Sequence, residues 1–322
     1  MPLCYNCGVN VSDVYLAYSR RYLCGGCFRN HYERKVKSTV AKYHMIRSGE
    51  RIGVAVSGGK DSTSLLYALK RLYPSLDMVA IHVDLGIKGY SDHCHRIVRE
   101  FTRRLGVPLV DYSLEEGMGY TLHDLQGTGR GRRMCSPCGV VKRYLLNRLA
   151  LEAGVDKLAT GHNLDDIVEV IFNCYIHGDV DQLRRLYPVL PGWHPKLAAR
   201  IKPLCELTEE EDLLYALYSE LPFRSASCPL SEGARSIRGK KLIEAITMEI
   251  PQFKHLLFKS YVKRIYPSLK PLGEEGEVGE CRICGSPTSL QVCAFCRITQ
   301  LARARRLSGT NPRLERNGES PG

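Results

Sequence analysis

Ten of the fourteen cysteines in this 322-residue chain fall in five Cys-x-x-Cys pairs: Cys4/Cys7, Cys24/Cys27, Cys135/Cys138, Cys281/Cys284 and Cys293/Cys296. Sixteen residues separate the first two pairs and eight separate the last two. Each of these quartets can give four thiolates to one tetrahedral ion, in the spacing of a zinc ribbon or knuckle. Four thiolates leave no open position, so both are expected to be structural zinc sites. The metal would supply the folding energy of modules too short to bury a core. Gly8, Gly25, Gly26 and Gly285 flank the ligands, where a left-handed backbone lets amide N–H groups turn toward sulfur. The middle pair, Cys135-Ser-Pro-Cys138-Gly, has no second pair nearby; its candidate third partner is Cys228, in Ser-Cys228-Pro-Leu. Cys94, Cys174 and Cys205 stand alone in mixed or apolar surroundings and read as packing residues.

A second constellation handles phosphate. The β-branched run Ile52–Val56 leads straight into Ser57-Gly58-Gly59-Lys60-Asp61-Ser62, and a helical pattern follows. A glycine-rich turn between strand and helix lets backbone N–H groups close around a phosphate, and the helix dipole favours the negative charge. Lys60 and the hydroxyls of Ser57 and Ser62 add donors. The Walker A spacing and its Gly-Lys-Ser/Thr order are absent. The segment resembles instead the SGGxDS loop of the PP-loop ATP pyrophosphatases, which adenylate a substrate and release pyrophosphate. Gly161-His162-Asn163-Leu164-Asp165-Asp166 resembles the GHxxDD element of the same family. The resemblance assigns ATP to Ala55, Val56, Ser57, Gly58, Gly59, Lys60, Asp61, Ser62, His82, Gly161 and Asp166, with adenine met near the backbone of His82. A carboxylate beside a polyphosphate acts through Mg²⁺, with Asp166 or Asp165 as its holder. Helix capping is the plain structural role for either aspartate.

The elements that position these residues alternate. Strand signals at Ile52–Val56, Met78–Val83, Pro108–Tyr112 and Lys157–Thr160 interleave with helical periodicity after residue 60 and at 91–105, 139–153 and Asn163–Tyr175. This alternation predicts an α/β fold with a doubly wound parallel sheet, Rossmann-like, carrying zinc modules at both ends. Further helices are expected at 208–219, where Thr208 and Glu211 form a capping-box pattern, and at 233–248 and 252–267. The expected organisation is a zinc module at 1–30, a connecting basic helix within 31–49, and a catalytic domain at 50–207. A helical part carrying Cys228 follows at 208–272, then an acidic linker at 273–280. The second zinc module is placed at 281–300, and a basic disordered tail at 301–322.

The net charge is +12 and it is localised: +6 over residues 1–47, +6 over 126–148 and +5 over 297–316, which leaves the remainder at −5. Such concentration suggests a polyanionic partner, of which nucleic acid is the commonest. The N-terminus lacks a signal-peptide pattern and no apolar run approaches the ~20 residues of a membrane span, so a cytoplasmic protein is expected, with no membrane.

Taken together, the phosphate loop, the GHxxDD element, the mid-chain pair, the later cysteine and both terminal quartets resemble the tRNA 2-thiouridine synthetases of the TtcA/TtuA group. The resemblance spans residues 1–300. Cys228-Pro-Leu-Ser-Glu-Gly-Ala is most similar to the subfamily that thiolates 5-methyluridine at T-loop position 54; a sister subfamily thiolates the wobble uridine at position 34. Adenylation would turn the poor leaving oxygen of uridine C2 into AMP, and sulfur would then take its place. The resemblance implies catalytic roles for Cys135, Cys138, Cys228, Asp61, Lys142 and Asp166. Lys142 neutralises the α-phosphate or orients the uridine oxygen, or else is a solvated helix lysine or a tRNA phosphate contact. For the three cysteines, three readings stand. They ligate a [4Fe–4S] cluster with one open iron, they form a persulfide and its resolving thiol, or they are structural. The resemblance points to the cluster. It also implies tRNA as partner, a ubiquitin-like thiocarboxylate protein or free sulfide as sulfur donor, and a homodimer. A non-enzymatic zinc-dependent RNA-binding protein is the reading from another class. The likeliest tRNA contacts on charge alone are the N-terminal module, its basic helix and Arg130, Arg132 and Arg133 in the glycine-rich loop.

Overall fold

The computed structural model describes residues 2–125, 134–231, 235–270 and 278–307. The chain opens with a hairpin, β1 (Val14–Leu16) and β2 (Arg21–Leu23), followed by α1 (Gly25–Lys42). The basic helix, expected within 31–49, therefore starts six residues earlier, at Gly25, so that Cys27 sits in its first turn. It ends at Lys42, just before His44 takes a left-handed φ of 50°.

The central domain then alternates. In order come β3 (Ile52–Ala55), α2 (Lys60–Leu72), β4 (Met78–Asp84), α3 (Ser91–Leu105), β5 (Leu109–Ser113) and α4 (Leu114–Met118). After these come α5 (Cys135–Glu152), β6 (Lys157–Ala159), α6 (Leu164–His177), α7 (Val180–Arg184), β7 (Val189–Leu190) and β8 (Ala199–Ile201). The six strands form one sheet in the order β5-β4-β3-β6-β8-β7. The sheet is parallel as expected, and only the β7–β8 pair at one edge is antiparallel. The chain runs outward from β3 through β4 to β5 and then returns to β6 on the other side. The crevice between β3 and β6 is thus the topological switch point, where ligands of such sheets bind. Ile52, Val54, Leu65, Leu66, Leu69 and Phe101 fill the core on this sheet.

The remaining helices are α8 (Glu209–Tyr218), α9 (Arg235–Glu249) and α10 (Phe253–Ser260). The helix expected over 252–267 breaks at Ser260 into a π-turn, Tyr261–Ile265, and a 3₁₀ turn, Tyr266–Ser268, around buried Tyr261. The C-terminal module is a small ladder of β9 (Gly279–Glu280) and β10 (Pro287–Thr288) followed by α11 (Ala294–Leu307). The end of the expected linker is therefore strand, and the start of the expected disordered tail is helix. Residues 126–133, with the expected tRNA contacts Arg130, Arg132 and Arg133, and residues 232–234, 271–277 and 308–322 lie outside the described residues. Among the described residues no helix is long and apolar enough to cross a membrane.

Each terminal module leans on a different flank of the sheet domain. Tyr32 of α1 donates to Asp212 of α8 at 2.7 Å and stacks on Tyr215 at 3.9 Å, while Tyr18 donates to Glu211 at 2.8 Å. Gly25 is required here by packing: a Cβ would fall 2.4 Å from the Tyr218 ring. At the other end, Phe295 of α11 stacks on Tyr144 of α5 at 3.6 Å. Cys281, Cys293 and Phe295 share an apolar cluster with Met134, Val141 and Leu145 of the α5 region.

Candidate active site

The phosphate loop sits at the C-terminal end of β3, in the switch-point crevice. Gly58 has φ +79°, and a Cβ on it would fall 3.0 Å from the Cys94 Cα and carbonyl oxygen, so only glycine fits. Ser57 N–H donates to Ser62 Oγ at 3.1 Å, and that hydroxyl donates to the Gly59 carbonyl at 3.0 Å, closing the loop around the start of α2. Gly161 approaches the backbone of Asp61 and Ser62; a Cβ there would lie 3.2 Å from Ser62 N. The two glycine elements singled out in the sequence thus abut.

They border a cavity of about 320 Å³ whose walls include Ala55, Val56, Ser57, Asp61, Ser62, His82, Lys142, Gly161 and Asp166. Its apolar side is made by Ile81, Val83, Leu85, Ile87 and Leu146. A flat apolar wall facing a loop of backbone donors suits a nucleotide base and its phosphates. The buried His82 donates from Nδ1 to the Val56 carbonyl at 2.7 Å, and Nε2 has no protein partner. Burial holds the His82 imidazole below its ordinary pKa, so it stays neutral.

The aspartate pair divides. Asp166 reaches the cavity, caps α6 reciprocally with Asn163, and meets Lys240 at 2.6 Å. Asp165 turns away: it accepts from Glu209 N at 2.8 Å and pairs with Lys254 at 2.6 Å. Of the two, Asp166 is the one positioned for a metal beside phosphate. Asp61 pairs with Lys60 at 3.1 Å, and burial pushes its carboxyl up against the opposing pull of Lys60. Burial opposes the Lys60 charge as well, but Asp61 and Glu209 outweigh it and hold the ammonium pKa above its ordinary value.

Two of the three separate cysteines share a helix with Lys142, which lines this cavity. Cys135 and Cys138 begin α5, and Lys142 follows one turn later. Cys228 comes from a segment that crosses the phosphate loop: Arg224 N–H donates to the Gly58 carbonyl at 2.9 Å, and its guanidinium lies 4.5 Å over the Tyr90 ring. Cys135 Sγ is 3.4 Å from the Leu230 carbonyl, two residues beyond Cys228. Burial raises the Cys138 thiol, and the neighbouring Cys228 and Cys135 add to the rise against Lys142. Cys94, read from sequence as a packing residue, in fact lines the nucleotide cavity. Burial pushes Tyr90 up to about 12, with Cys94 and Cys228 adding to it. Cys174 and Cys205 are core residues.

The quartets differ from the trio in spacing. In each, all four sulfurs lie within 4.8 Å of one another. Cys7 and Cys24 are 4.0 Å apart and Cys284 and Cys293 are 3.7 Å apart, near the ~3.8 Å edge of a tetrahedron built on Zn–S bonds of about 2.3 Å. Backbone amides of Cys293 and Cys296 point at Cys281 and Cys293 sulfur at 3.3 and 3.4 Å. Although burial opposes it, backbone N–H groups bring the Cys4 and Cys281 thiols down to about 6, favouring thiolate. Both donor sets fit zinc. Gly8 and Gly285 take the left-handed φ expected beside ligands, at +66° and +68°; Gly25 and Gly26 do not, because they lie within α1. Among the described residues only these quartets reach that compactness; the sulfurs of Cys135, Cys138 and Cys228 do not all lie within 4.8 Å of one another.

The model of the PP-loop domain matches residues 28–211. The tRNA-5-methyluridine(54) 2-sulfurtransferase of Pyrococcus horikoshii is 35% identical over 290 residues, covering 90% of this chain and 91% of that protein. The enzyme of the same name from Thermus thermophilus is 37% identical over 276 residues, covering 86% and 84%. The chain belongs to the PP-loop family, among its tRNA sulfurtransferases. A solved structure of the U34-tRNA thiolase NcsA from Methanococcus maripaludis, with its [4Fe-4S] cluster, superposes with a TM-score of 0.80 at 30% identity, covering 94% of this chain and 96% of that one.

Within this sulfurtransferase framework, sequence reasoning missed two residues that complete the charge pattern. Glu209 takes Lys60 at 2.8 Å and Lys240 at 2.7 Å. Glu209 was legible only as the first helical residue after the Thr208 cap, and Lys240 as one lysine in a helix of mixed charge. Neither sits in a glycine turn or a fixed spacing.

Proposed function

We propose that the protein thiolates tRNA uridine at C2, with ATP as activator, and that its target is 5-methyluridine at position 54. The observation that carries this reading is that Ser57, Asp61 and Ser62 of the phosphate loop share one cavity with Lys142 and Asp166, while Lys142 follows Cys138 by one turn on α5 and Cys135 meets the Leu230 carbonyl of the Cys228 segment. Position 54 is favoured over position 34 by the likeness of the Cys228–Ala234 segment and by the closer identity of the relatives named for it.

In this reading, the Gly58–Ser62 backbone and the α2 N-terminus seat the β- and γ-phosphates, and Asp166 and Asp61 hold Mg²⁺. Adenine lies along Ile81–Val83 against the apolar wall. Uridine O2 attacks the α-phosphate, the bond to the bridging oxygen breaks, and pyrophosphate leaves. Lys142 stands where it can neutralise charge gathering on the α-phosphate. Hydrosulfide then attacks C2, and the C2–O bond breaks with AMP carrying away the former uridine oxygen. Sulfur enters at the sulfide level, so no electrons change hands; a persulfide route would need a reductant. Three thiolates, from Cys135, Cys138 and Cys228, without a matching fourth suit a [4Fe–4S] cluster better than one ion. Bound by three thiolates, such a cluster supplies an iron without a protein ligand at which sulfide can be held. Free sulfide or a ubiquitin-like thiocarboxylate protein is the donor, and the working unit is a homodimer in the cytoplasm. Under anaerobic conditions, AMP release should require both ATP and tRNA. AMP release without tRNA dependence would instead indicate a PP-loop ligase acting on a small acid or amide.

A further inference from the structure

Lys240 stands in the wall between two cavities. On one side it lines, with Glu209 and Lys254, a cavity of about 630 Å³ bounded by β1, α8, α9 and α10. On the other it reaches Asp166, a wall residue of the nucleotide cavity, at 2.6 Å. Its ammonium also meets Glu209 Oε2 at 2.7 Å, while Glu209 Oε1 takes Lys60 at 2.8 Å. One carboxylate thus holds Lys240 beside the phosphate-loop lysine, and Lys60 in turn meets Asp61 at 3.1 Å.

A close helix approach puts Lys240 there. Gly239 lies inside α9, where glycine is a poor helix former. A Cβ on it would fall 2.6 Å from Glu169 Oε1 and 2.9 Å from Glu169 Cγ, and Asn173 holds that carboxylate at 2.6 Å. Glycine therefore lets α9 press against α6. Asp166 lies one turn before Glu169 on α6, so the same approach sets residue 240 against it. Burial opposes the Lys240 charge, but Asp166 and Glu209 outweigh it and hold the ammonium pKa above its ordinary value. The neighbouring pair differs. Lys254 of α10 meets Asp165 at 2.6 Å and Glu244 at 2.7 Å, and Asp165 lines the larger cavity but not that of the nucleotide. That pair ties helices together. Mg²⁺ brought by ATP competes for the Asp166 carboxylate that Lys240 neutralises. An ammonium displaced from Asp166 but still held by Glu209 stays beside Lys60, and a polyphosphate is the anion that restores its charge balance.

We propose that Lys240 is a further ATP-binding residue: together with Lys60 it takes the β- and γ-phosphates, and Glu209 holds the two lysines in place for them. The assignment rests on the ATP-dependent reading above. It adds a phosphate ligand from the C-terminal helices, outside both the phosphate loop and the GHxxDD element.

Titration calorimetry of the full chain measures its affinity for ATP, inorganic pyrophosphate and AMP, each with Mg²⁺. Lys240→Gln should weaken ATP and pyrophosphate about tenfold, the loss of one charge-assisted hydrogen bond. AMP affinity should be unchanged, because AMP lacks the two outer phosphates. Lys240→Arg should recover most of the loss. Lys254→Gln, which removes the equivalent ion pair on the other aspartate, should bind all three like wild type. Wild-type ATP affinity in Lys240→Gln would overturn the assignment. Equal weakening of all three probes, or an equal loss in Lys254→Gln, would also overturn it and reduce Lys240 to an ion pair that ties α9 to α6. AMP release by the wild-type chain without tRNA would remove the thiolation reading and leave the phosphate contact standing. A wild-type chain that binds neither ATP nor pyrophosphate would overturn both.

Discussion

Glu209 Oε1 lies 2.8 Å from Lys60 Nζ, although 149 residues separate them. Its second oxygen lies 2.7 Å from Lys240, which meets Asp166 at 2.6 Å. The row Lys60–Glu209–Lys240–Asp166 therefore ties the phosphate loop to the GHxxDD element through α8 and α9. Because Tyr18 and Tyr32 hold Glu211 and Asp212 on the same helix, the N-terminal module braces the phosphate-loop lysine from behind.

The pH response of stability tests that row. Burial opposes the Glu209 charge, but Lys240 and Lys60 outweigh it and bring the carboxyl down to about 2 from an ordinary 4.5. A depressed carboxyl contributes stability that is full above its unfolded value and lost as pH falls through the folded one. Glu209→Gln should lower stability at neutral pH by about 1 kcal/mol once solvent screening is allowed for. It should also flatten the loss of stability between about pH 4.5 and about pH 2. Thermal melts with the same acid slope in wild type and variant would contradict the pairing.

Two adjacent glycines should respond differently. At Gly58, φ is +79° and a Cβ would press on Cys94 backbone at 3.0 Å, whereas at Gly59 a Cβ meets only Ser57 Oγ at 3.6 Å. Gly58→Ala should cost ~1–3 kcal/mol and abolish ATP binding. Gly59→Ala should melt like wild type. Equal melting of the two would show that the loop relaxes freely.

Much of this site is legible in the sequence because its chemistry is local. Ser57–Ser62 and Gly161–Asp166 each compress strand end, turn and helix start into six residues, and the quartets carry their own spacing. What the sequence hid depends on tertiary approach. The expected parallel sheet gained an antiparallel edge because Val189–Leu190 and Ala199–Ile201 are too short for periodicity to register. Cys94 looked inert because nothing around it in the sequence reveals that the α3 backbone touches Gly58. The charges of Glu209 and Lys240 take meaning only from what folds against them.

The C-terminal zinc module should act at a distance. Through Tyr144 and Phe295, stacked at 3.6 Å, it supports α5, which carries Cys135, Cys138 and Lys142. Cys284→Ser should reduce bound zinc from two ions to one per chain, by elemental analysis, and impair thiolation. ATP binding, which relies mainly on β3 and α2, should persist. Full thiolation with one zinc would show that α5 holds its position without the brace.

Lys142 lines the nucleotide cavity and also opposes the burial-driven rise of the Cys138 thiol. If it stabilises charge on the α-phosphate, Lys142→Ala should reduce AMP formation on the order of 10²-fold with ATP affinity and zinc content unchanged. An AMP-forming rate equal to wild type would return this lysine to a solvent or tRNA-contact role.

The central claim is that the phosphate loop and the three cysteines make one thiolating centre. Nucleoside mass spectrometry of tRNA tests it most directly, after anaerobic incubation with iron- and sulfide-reconstituted protein, ATP, Mg²⁺ and sulfide. The account predicts 5-methyl-2-thiouridine from position 54, formed only when ATP is present. Cys135→Ala, Cys138→Ala and Cys228→Ala should each form none while retaining both zinc ions. Thiolation that persists in any of these variants, or that proceeds in air without iron, would contradict the cluster. Absence of any thionucleoside with reconstituted wild-type protein would contradict the activity itself.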